Sequence, residues 1–335
     1  MAVKVGINGF GRIGRQVLRI GLEREDLEFV AINDISDAKT LAHLFKYDSV
    51  FRTFKGNIDI ENNTMMIDNK PVRIFSERNP ADIPWSDYGA EVVVESSGIF
   101  RTKEAASAHL GDSVKKVVIS APAKGEVDFT TVLGVNDKDY DPEKHDIVSN
   151  ASCTTNCFAM LVKVLHEEFK IKRGQMSTVH SYTNDQKILD APHKDLRRAR
   201  SAAMSMIPTS TGAANAIQLI FPELKGKLHA LAVRVPTPDV SIVDFTCEVG
   251  KKTTTEEVNK AFRKYSESSL KGYLNYLEDE LVSSDLIGDT HSASFDSKLT
   301  SVVDNNLVKV VAWYDNEYGY SSRVVDLVGL LGGKS

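Results

Sequence analysis

Val3-Lys4-Val5-Gly6-Ile7-Asn8-Gly9-Phe10-Gly11-Arg12-Ile13-Gly14 is the stretch on which the fold of this 335-residue chain turns. Residues 3–7 read as a short buried strand, and the glycines then open a helical run carrying Ile13, Val17, Leu18 and Ile20. A second apolar strand, Phe29 to Ile32, ends at Asn33-Asp34, so that an acid stands twenty positions after Gly14. Each part has a physical job. The glycines allow a tight turn and close approach of a pyrophosphate, whose charge meets the helix N-terminus. Asp34 is placed to accept hydrogen bonds from a ribose diol. A G-x-G-x-x-G alone is weak evidence, but here strand, turn, helix, strand and acid all stand in order, and the pattern predicts a dinucleotide site.

Outward from this unit the pattern continues as α/β. Glu91–Glu95 and Lys116–Ser120 are candidate parallel strands with a helical stretch, Thr102–His109, between them. Polar or tight turns follow both strands, at the carboxyl ends where open α/β sheets bind ligands. Lys55–Ile74 contains short strand-like pieces with Asn62-Asn63 and Asp68-Asn69 turns, an antiparallel excursion. After about residue 150 the character changes. Leu228–Val235 and Val240–Val249 are long strands separated by Pro236-Thr237-Pro238-Asp239, and Leu299–Val303 is joined to Leu307–Trp313 by Asp304-Asn305-Asn306. Thr254-Thr255-Glu256-Glu257 reads as a capping-box start for a helix bearing Val258, Ala261, Phe262 and Tyr265. Such long strands next to one another suggest an antiparallel sheet backed by helices. Val324 to Leu331 reads as a final helix. The expected division is a Rossmann dinucleotide-binding domain over 1–151, completed by the C-terminal helix 317–335, and an α+β catalytic domain over 152–316 with a mostly antiparallel sheet.

Composition narrows the function. The net charge of -5 argues against nucleic acid as the primary partner. The N-terminus lacks the apolar core of a secretory signal, and no segment approaches a membrane span, so a cytoplasmic location is expected. Three cysteines exclude a disulfide framework built on pairs. With no His near Cys153 and Cys157, and only Cys247 besides, no metal site is expected.

Ser152-Cys153-Thr154-Thr155-Asn156-Cys157 is the segment that carries chemistry. Phe158, Leu161, Val162 and Leu165 recur at helical spacing and line one face, which puts Cys153 on the first turn of an amphipathic helix. Unsatisfied N–H groups and the positive end of the macrodipole favour an anion there, and the thiolate is the nucleophilic form. Cys157, one turn further in, should face the interior. The competing reading is that a free Cys is more often simply buried and inert.

The chain as a whole resembles phosphorylating glyceraldehyde-3-phosphate dehydrogenases. The resemblance rests on I-N-G-F-G-R-I-G at 7–14, Asn33-Asp34, K-Y-D-S at 46–49, S-N-A-S-C-T-T-N-C at 149–157, H-S-Y-T at 180–183, S-T-G-A-A at 210–214, R-V-P-T-P at 234–238 and W-Y-D-N-E at 313–317. It implies an NAD-dependent enzyme of glycolysis and gluconeogenesis that acts on glyceraldehyde 3-phosphate and inorganic phosphate to give 1,3-bisphosphoglycerate through a hemithioacetal and a thioester on Cys153. His180 is implied as the base. The substrate phosphate would be held by Thr183 and Arg234. The attacking phosphate would be held by Ser152, Thr154, Thr211, Gly212 and one Arg of 197–200, taken here as Arg198. The rest of that cluster reads as a solvated basic face or a subunit contact.

For the cofactor, NAD, the resemblance implies Gly9, Gly11, Arg12 and Ile13 at the pyrophosphate, Asp34 at the adenosine ribose and Arg78 near the adenine. Ser97 and Ser120 would lie beside the cofactor, and Asn316 would fix the nicotinamide carboxamide. A homotetramer is implied, with the 180–205 loop against a neighbour's cofactor site. The chain departs from the family pattern at Phe51-Arg52, at Tyr318 where Trp is common, and at Ala191-Pro192 where Leu-Pro is frequent in NAD-specific members; the last bears on acceptance of NADP. The nearest rivals are a related enzyme acting on erythrose 4-phosphate, whose acyl-enzyme is released by water, and a secondary binding role.

Overall fold

A computed structural model describes residues 1–333, which divide into two compact units. One comprises Met1–Thr131, Lys138–Ala151 and the chain from Ser321 onward; the other comprises Val132–Asp137 and Ser152–Tyr320.

The first unit is built on nine strands: β1 (Val3–Asn8), β2 (Leu27–Asn33), β3 (Ile58–Glu61), β4 (Thr64–Ile67), β5 (Lys70–Phe75), β6 (Val92–Glu95), β7 (Lys116–Ile119), β8 (Phe129–Thr130) and β9 (Ile147–Ser149). Their order is β3-β4-β5-β2-β1-β6-β7-β9-β8, with β5, β2, β1, β6, β7 and β9 parallel neighbour to neighbour. The central strands are apolar on both faces because crossovers cover both: Val5, Ile7, Ile32, Val93 and Val94 are buried. The chain runs outward one way from β1 and the other way from β6. The crevice beyond the carboxyl ends of these two strands is therefore the topological switch point. Helix α1 (Arg12–Gly21) follows β1, α2 (Ala38–Lys46) follows β2, and α3 (Lys103–Ser107) lies between β6 and β7. The last is shorter than the sequence suggests: Thr102 caps it, and the Ser107 hydroxyl bonds the Lys103 carbonyl. The antiparallel excursion is β3 to β5. Asn62, Asn63, Asp68 and Asn69 all have positive φ, as two-residue hairpin turns that match strand twist require.

The second unit carries an eight-stranded, mostly antiparallel sheet: β10 (Ile171–Ser181), β11 (Ile207–Ser210), β12 (Leu228–Val235), β13 (Ser241–Val249), β14 (Leu274–Leu277), β15 (Ala293–Asp296), β16 (Ser301–Val303) and β17 (Leu307–Tyr314). Against one face pack α4 (Cys153–Phe169), α5 (Ala213–Ile220) and α6 (Thr255–Glu267). The sequence expectation needs two corrections here. β12 and β13 are joined by the Pro-rich turn yet do not pair. β10 lies between them, parallel to β12 and antiparallel to β13, so the link crosses over a strand. Helix α4 is not amphipathic in place: besides Phe158, Leu161, Val162 and Leu165, the residues Thr154–Met160 are buried too. It is the central element of the unit, and beyond Cys153 only its last turns, with Lys163, His166, Glu167 and Glu168, reach water. The capping box at Thr254 and Glu257 forms as the sequence predicts, and Val258, Ala261, Phe262 and Tyr265 are the buried face of α6. Helix α7 (Tyr318–Leu331) begins in the second unit and is counted with the first from Ser321; of the expected 317–335 segment, 334 and 335 lie outside the described residues.

Candidate active site

In the first unit the glycine turn divides its labour by position. Gly9 has φ +90°, and a Cβ there would sit 2.4 Å from the Ser97 backbone nitrogen, so this turn packs directly on the turn after β6. A Cβ on Gly14 would lie 2.2 Å from the Gly9 carbonyl oxygen, which fixes how closely α1 approaches the turn. Gly11 faces open space and is the N-cap of α1 without a side-chain hydrogen bond, leaving its first N–H groups to a ligand. A cleft of about 310 Å³ opens here, lined by Gly9, Gly11, Asp34, Arg78, Ser97 and their neighbours. Asp34 is oriented by two backbone donors, Phe10 N–H at 2.8 Å and Ser36 N–H at 2.9 Å, and each oxygen keeps a further lone pair. Arg12 pairs with Asp48 at 2.5 Å and lies over the Phe51 ring, which gives the unusual Phe51 a partner. Ile13 is half-buried on the first turn of α1, and Ser120 donates its N–H to the Glu95 carbonyl at 3.0 Å, joining the ends of β6 and β7.

The second unit assembles the reactive groups from separate elements. Ser152 caps α4, its Oγ accepting from Thr155 N–H at 3.0 Å, and Cys153 follows on the first turn, half-buried. Its Sγ lies 3.5 Å from His180 Nε2, at the end of β10. The His180 Nδ1 is 2.7 Å from the Ser181 carbonyl, an acceptor only, so Nδ1 carries the proton and Nε2 presents its lone pair to the thiol. Arg234 Nη1 is 3.2 Å from the same Nδ1, but its proton goes to the Ser181 carbonyl (3.1 Å) and Thr183 Oγ1 (2.9 Å). Burial pushes His180 down to about 3, with the Arg234 charge adding to the shift. Burial also pushes the Cys153 thiol up, against a downward pull from Arg234. Burial thus works against charge on both partners, opposing the helix start and the guanidinium, which favour the thiolate. Cys157 is fully buried and its thiol is pushed well up by that burial, as befits a packing residue.

Residues that sequence reasoning missed complete the site. Asp185 accepts from the Thr183 hydroxyl and from Arg198 Nη1 at 2.7 Å, linking the two arginines' clusters. Burial would raise its carboxyl, but the Thr183 hydroxyl, Arg234 and Arg198 hold it below the usual range. Arg198 also donates to Thr209 Oγ1 (3.0 Å) and the Ser210 carbonyl (3.3 Å), beside Thr211 and Gly212 at the start of α5, whereas Arg200 pairs with Asp190 at the surface and Arg197 is exposed. Tyr314 is fully buried, edge-on to the His180 ring at 5.9 Å, its hydroxyl 2.9 Å from both Thr154 and Thr178. The Thr154 hydroxyl is thereby tied to the core through Tyr314. Asn316 Oδ1 accepts from the Ser181 and Ser241 hydroxyls, each at 2.6 Å, which leaves its amide N–H₂ as the free donor. The signal that could have found these partners is strand register: His180 lies opposite Arg234, and Ser241 opposite Tyr314.

Residues 152–316 match the family model of the glyceraldehyde 3-phosphate dehydrogenase C-terminal domain, and residues 3–103 match the NAD binding domain of the same family. The chain belongs to the glyceraldehyde 3-phosphate dehydrogenase family. It is 58% identical over 331 residues to glyceraldehyde-3-phosphate dehydrogenase 1 of Bacillus cereus, with 99% of each chain covered. It is 56% identical over 334 residues to the glyceraldehyde-3-phosphate dehydrogenase of Geobacillus stearothermophilus, covering 100% of this chain and 99% of that one. For glyceraldehyde-3-phosphate dehydrogenase 2 of Streptomyces avermitilis the identity is 53% over 333 residues, 99% of each. Membership makes this an NAD-dependent oxidoreductase. Among the described residues no group of three or more His, Cys, Asp or Glu could hold a metal ion, and no helix is long and apolar enough to cross a membrane.

Proposed function

We propose that the chain catalyses the reversible, NAD-dependent oxidation and phosphorylation of glyceraldehyde 3-phosphate to 1,3-bisphosphoglycerate, a step of glycolysis and gluconeogenesis in the cytoplasm. The observation that carries this reading is Cys153 Sγ at 3.5 Å from a His180 Nε2 lone pair, beside the Arg234 and Arg198 clusters. Cys153 Sγ forms a bond to the aldehyde carbon while His180 Nε2 takes the thiol proton and passes it to the carbonyl oxygen, giving a hemithioacetal. His180 then takes the hydroxyl proton as the C–H bond breaks with its electron pair. NAD, when bound, supplies the acceptor for that hydride. A phosphate oxygen attacks the resulting thioester carbon, the C–S bond breaks, and the leaving thiolate is steadied by Arg234 and the α4 N-terminus.

Arg234 and Thr183 suit the substrate's phosphate; Arg198, Ser152, Thr211 and Gly212 suit the attacking one. Thr154 contributes through its bond to Tyr314. A dianion placed on Arg234 would offset its charge, the smaller of the two causes that depress His180, burial being the larger. The cofactor suits the residues present: Gly11 and the uncapped α1 leave room and donors for a pyrophosphate, Asp34 keeps lone pairs for a ribose diol, and the Asn316 amide is held as a donor for a carboxamide oxygen. Arg12, Ile13, Arg78, Ser97 and Ser120 border the cofactor in the same reading. The exposed Ile188, Leu189, Leu196 and Met204 of the 180–205 loop favour burial between subunits, consistent with a homotetramer.

The test is a steady-state assay with NAD and glyceraldehyde 3-phosphate, plus and minus inorganic phosphate. Turnover should require phosphate. Equal turnover without it, with release of the free acid and faster reaction of erythrose 4-phosphate, would replace this reading with the hydrolytic one.

A further inference from the structure

A second buried acid–base pair sits in the first unit, and nothing in the proposed chemistry uses it. Glu95 closes β6 and His109 follows α3; their side chains are fully buried and His109 Nε2 is 3.0 Å from Glu95 Oε2. Trp85 Nε1–H donates to His109 Nδ1 at 3.2 Å. Nδ1 is therefore the acceptor, Nε2 carries the proton, and His109 donates to Glu95. Glu95 Oε2 also accepts from Asn8 Nδ2 at 2.5 Å, while Oε1 accepts from the Ser97 N–H at 2.9 Å and from the Ser97 hydroxyl. Asn8 Oδ1 in turn accepts from Asn33 Nδ2 at 2.8 Å. Asn8, Asn33 and Glu95 are register partners at the carboxyl ends of β1, β2 and β6.

All four groups facing Glu95 are donors, so only an acceptor without hydrogens satisfies them. The consequence reaches the cleft through Ser97, whose backbone is the surface against which Gly9 turns, and Asn8, Asn33 and Ser97 all line that cleft. We infer that Glu95, oriented by His109 and Trp85, is a positioning residue for dinucleotide binding: it locks the β6 turn against the glycine turn and so sets the shape of the pyrophosphate cradle. This rests on the functional reading above.

The experiment is direct NAD binding by calorimetry to the full-length protein, with the rate of Cys153 alkylation in the absence of NAD as a control that reads the other unit. Glu95→Gln turns an amide N–H₂ toward the Asn8 and His109 donors and should weaken NAD binding by about tenfold or more, the cost of a lost charge-assisted bond. His109→Leu should weaken it by about tenfold. His109→Gln offers the same acceptor to Trp85 and the same donor to Glu95, and should stay within about threefold of wild type. The alkylation rate should be unchanged in all three. Wild-type affinity in Glu95→Gln, or equal losses in His109→Leu and His109→Gln, would overturn the inference. Should Glu95→Gln fail to fold, the His109 contrast decides it. A wild-type protein that bound no NAD would instead sink the functional reading, and this inference with it.

Discussion

His109 and His180 are both buried, at 2% and 4% exposure, and they carry opposite tautomers. In the first unit Trp85 donates to Nδ1, so His109 spends its Nε2–H on a carboxylate and has nothing left to exchange. In the second unit the Ser181 carbonyl takes Nδ1–H, so His180 turns a lone pair to a thiol, and Arg234 stands close enough to shift both groups. One histidine is locked in a satisfied network; the other is left with an unshared pair facing a nucleophile. Burial alone does not separate a structural histidine from a reactive one. The partner of the second nitrogen does.

The comparison can be broken most sharply at the thiol. Cys153→Ser should abolish phosphate-dependent oxidation, because a hydroxyl does not ionise in reach of neutral pH and forms no thioester, whereas Cys157→Ser should keep most of the activity. Equal losses in steady-state assays of two folded variants would remove Cys153 from its role.

Next in size is His180→Asn, which should lower kcat by ~10²–10⁴ through loss of the base. It should also flatten the acid limb of stability. His180 titrates near 3 folded and 6.5 ordinarily, so between those values the unfolded chain holds the extra proton. Stability therefore falls as pH drops through that window, by about 1.4 kcal/mol per pH unit. Denaturant midpoints from pH 7 to 4 in both proteins check the sign; parallel curves would mean His180 is not buried neutral.

Smaller effects separate the arginines. Arg234→Leu should weaken binding of the aldehyde's phosphate and Arg198→Leu that of inorganic phosphate, each by roughly ten- to a hundredfold for a lost charge-assisted bond of ~1.5–3 kcal/mol. Apparent KM values for both ligands decide this, and indistinguishable patterns in the two variants would merge the pockets into one. Because Arg234 pulls the Cys153 thiol down, its loss should also slow alkylation near neutral pH.

The smallest effect lies in the first unit. Asp34, fixed by Phe10 and Ser36 N–H, would meet a 2′-phosphate with like charge, so NAD should be preferred over NADP in kcat/KM by at least about tenfold. Asp34→Gly should narrow the gap and Ala191→Leu widen it. Equal efficiencies with the two cofactors would show that the Ala191-Pro192 loop outweighs the carboxylate.

The sequence by itself determined whatever a few neighbouring residues can enforce. The β1–glycine turn–α1–β2 unit, the hairpins at Asn62-Asn63 and Asp68-Asn69, the capping box at Thr254 and the start of α4 beneath Cys153 are all set by local dihedrals, caps and periodicity. Tertiary structure decided what depends on strand order and enclosure. It placed β10 between β12 and β13, which puts Arg234 in register with His180. It buried most of α4 in the core, and that burial raises the Cys153 thiol against the pull of Arg234. It brought Tyr314 and Glu95 onto groups far away in the chain, and chose the His109 tautomer through Trp85. Local rules act within a turn or two of chain, whereas desolvation and long-range hydrogen bonds have no counterpart in a linear pattern.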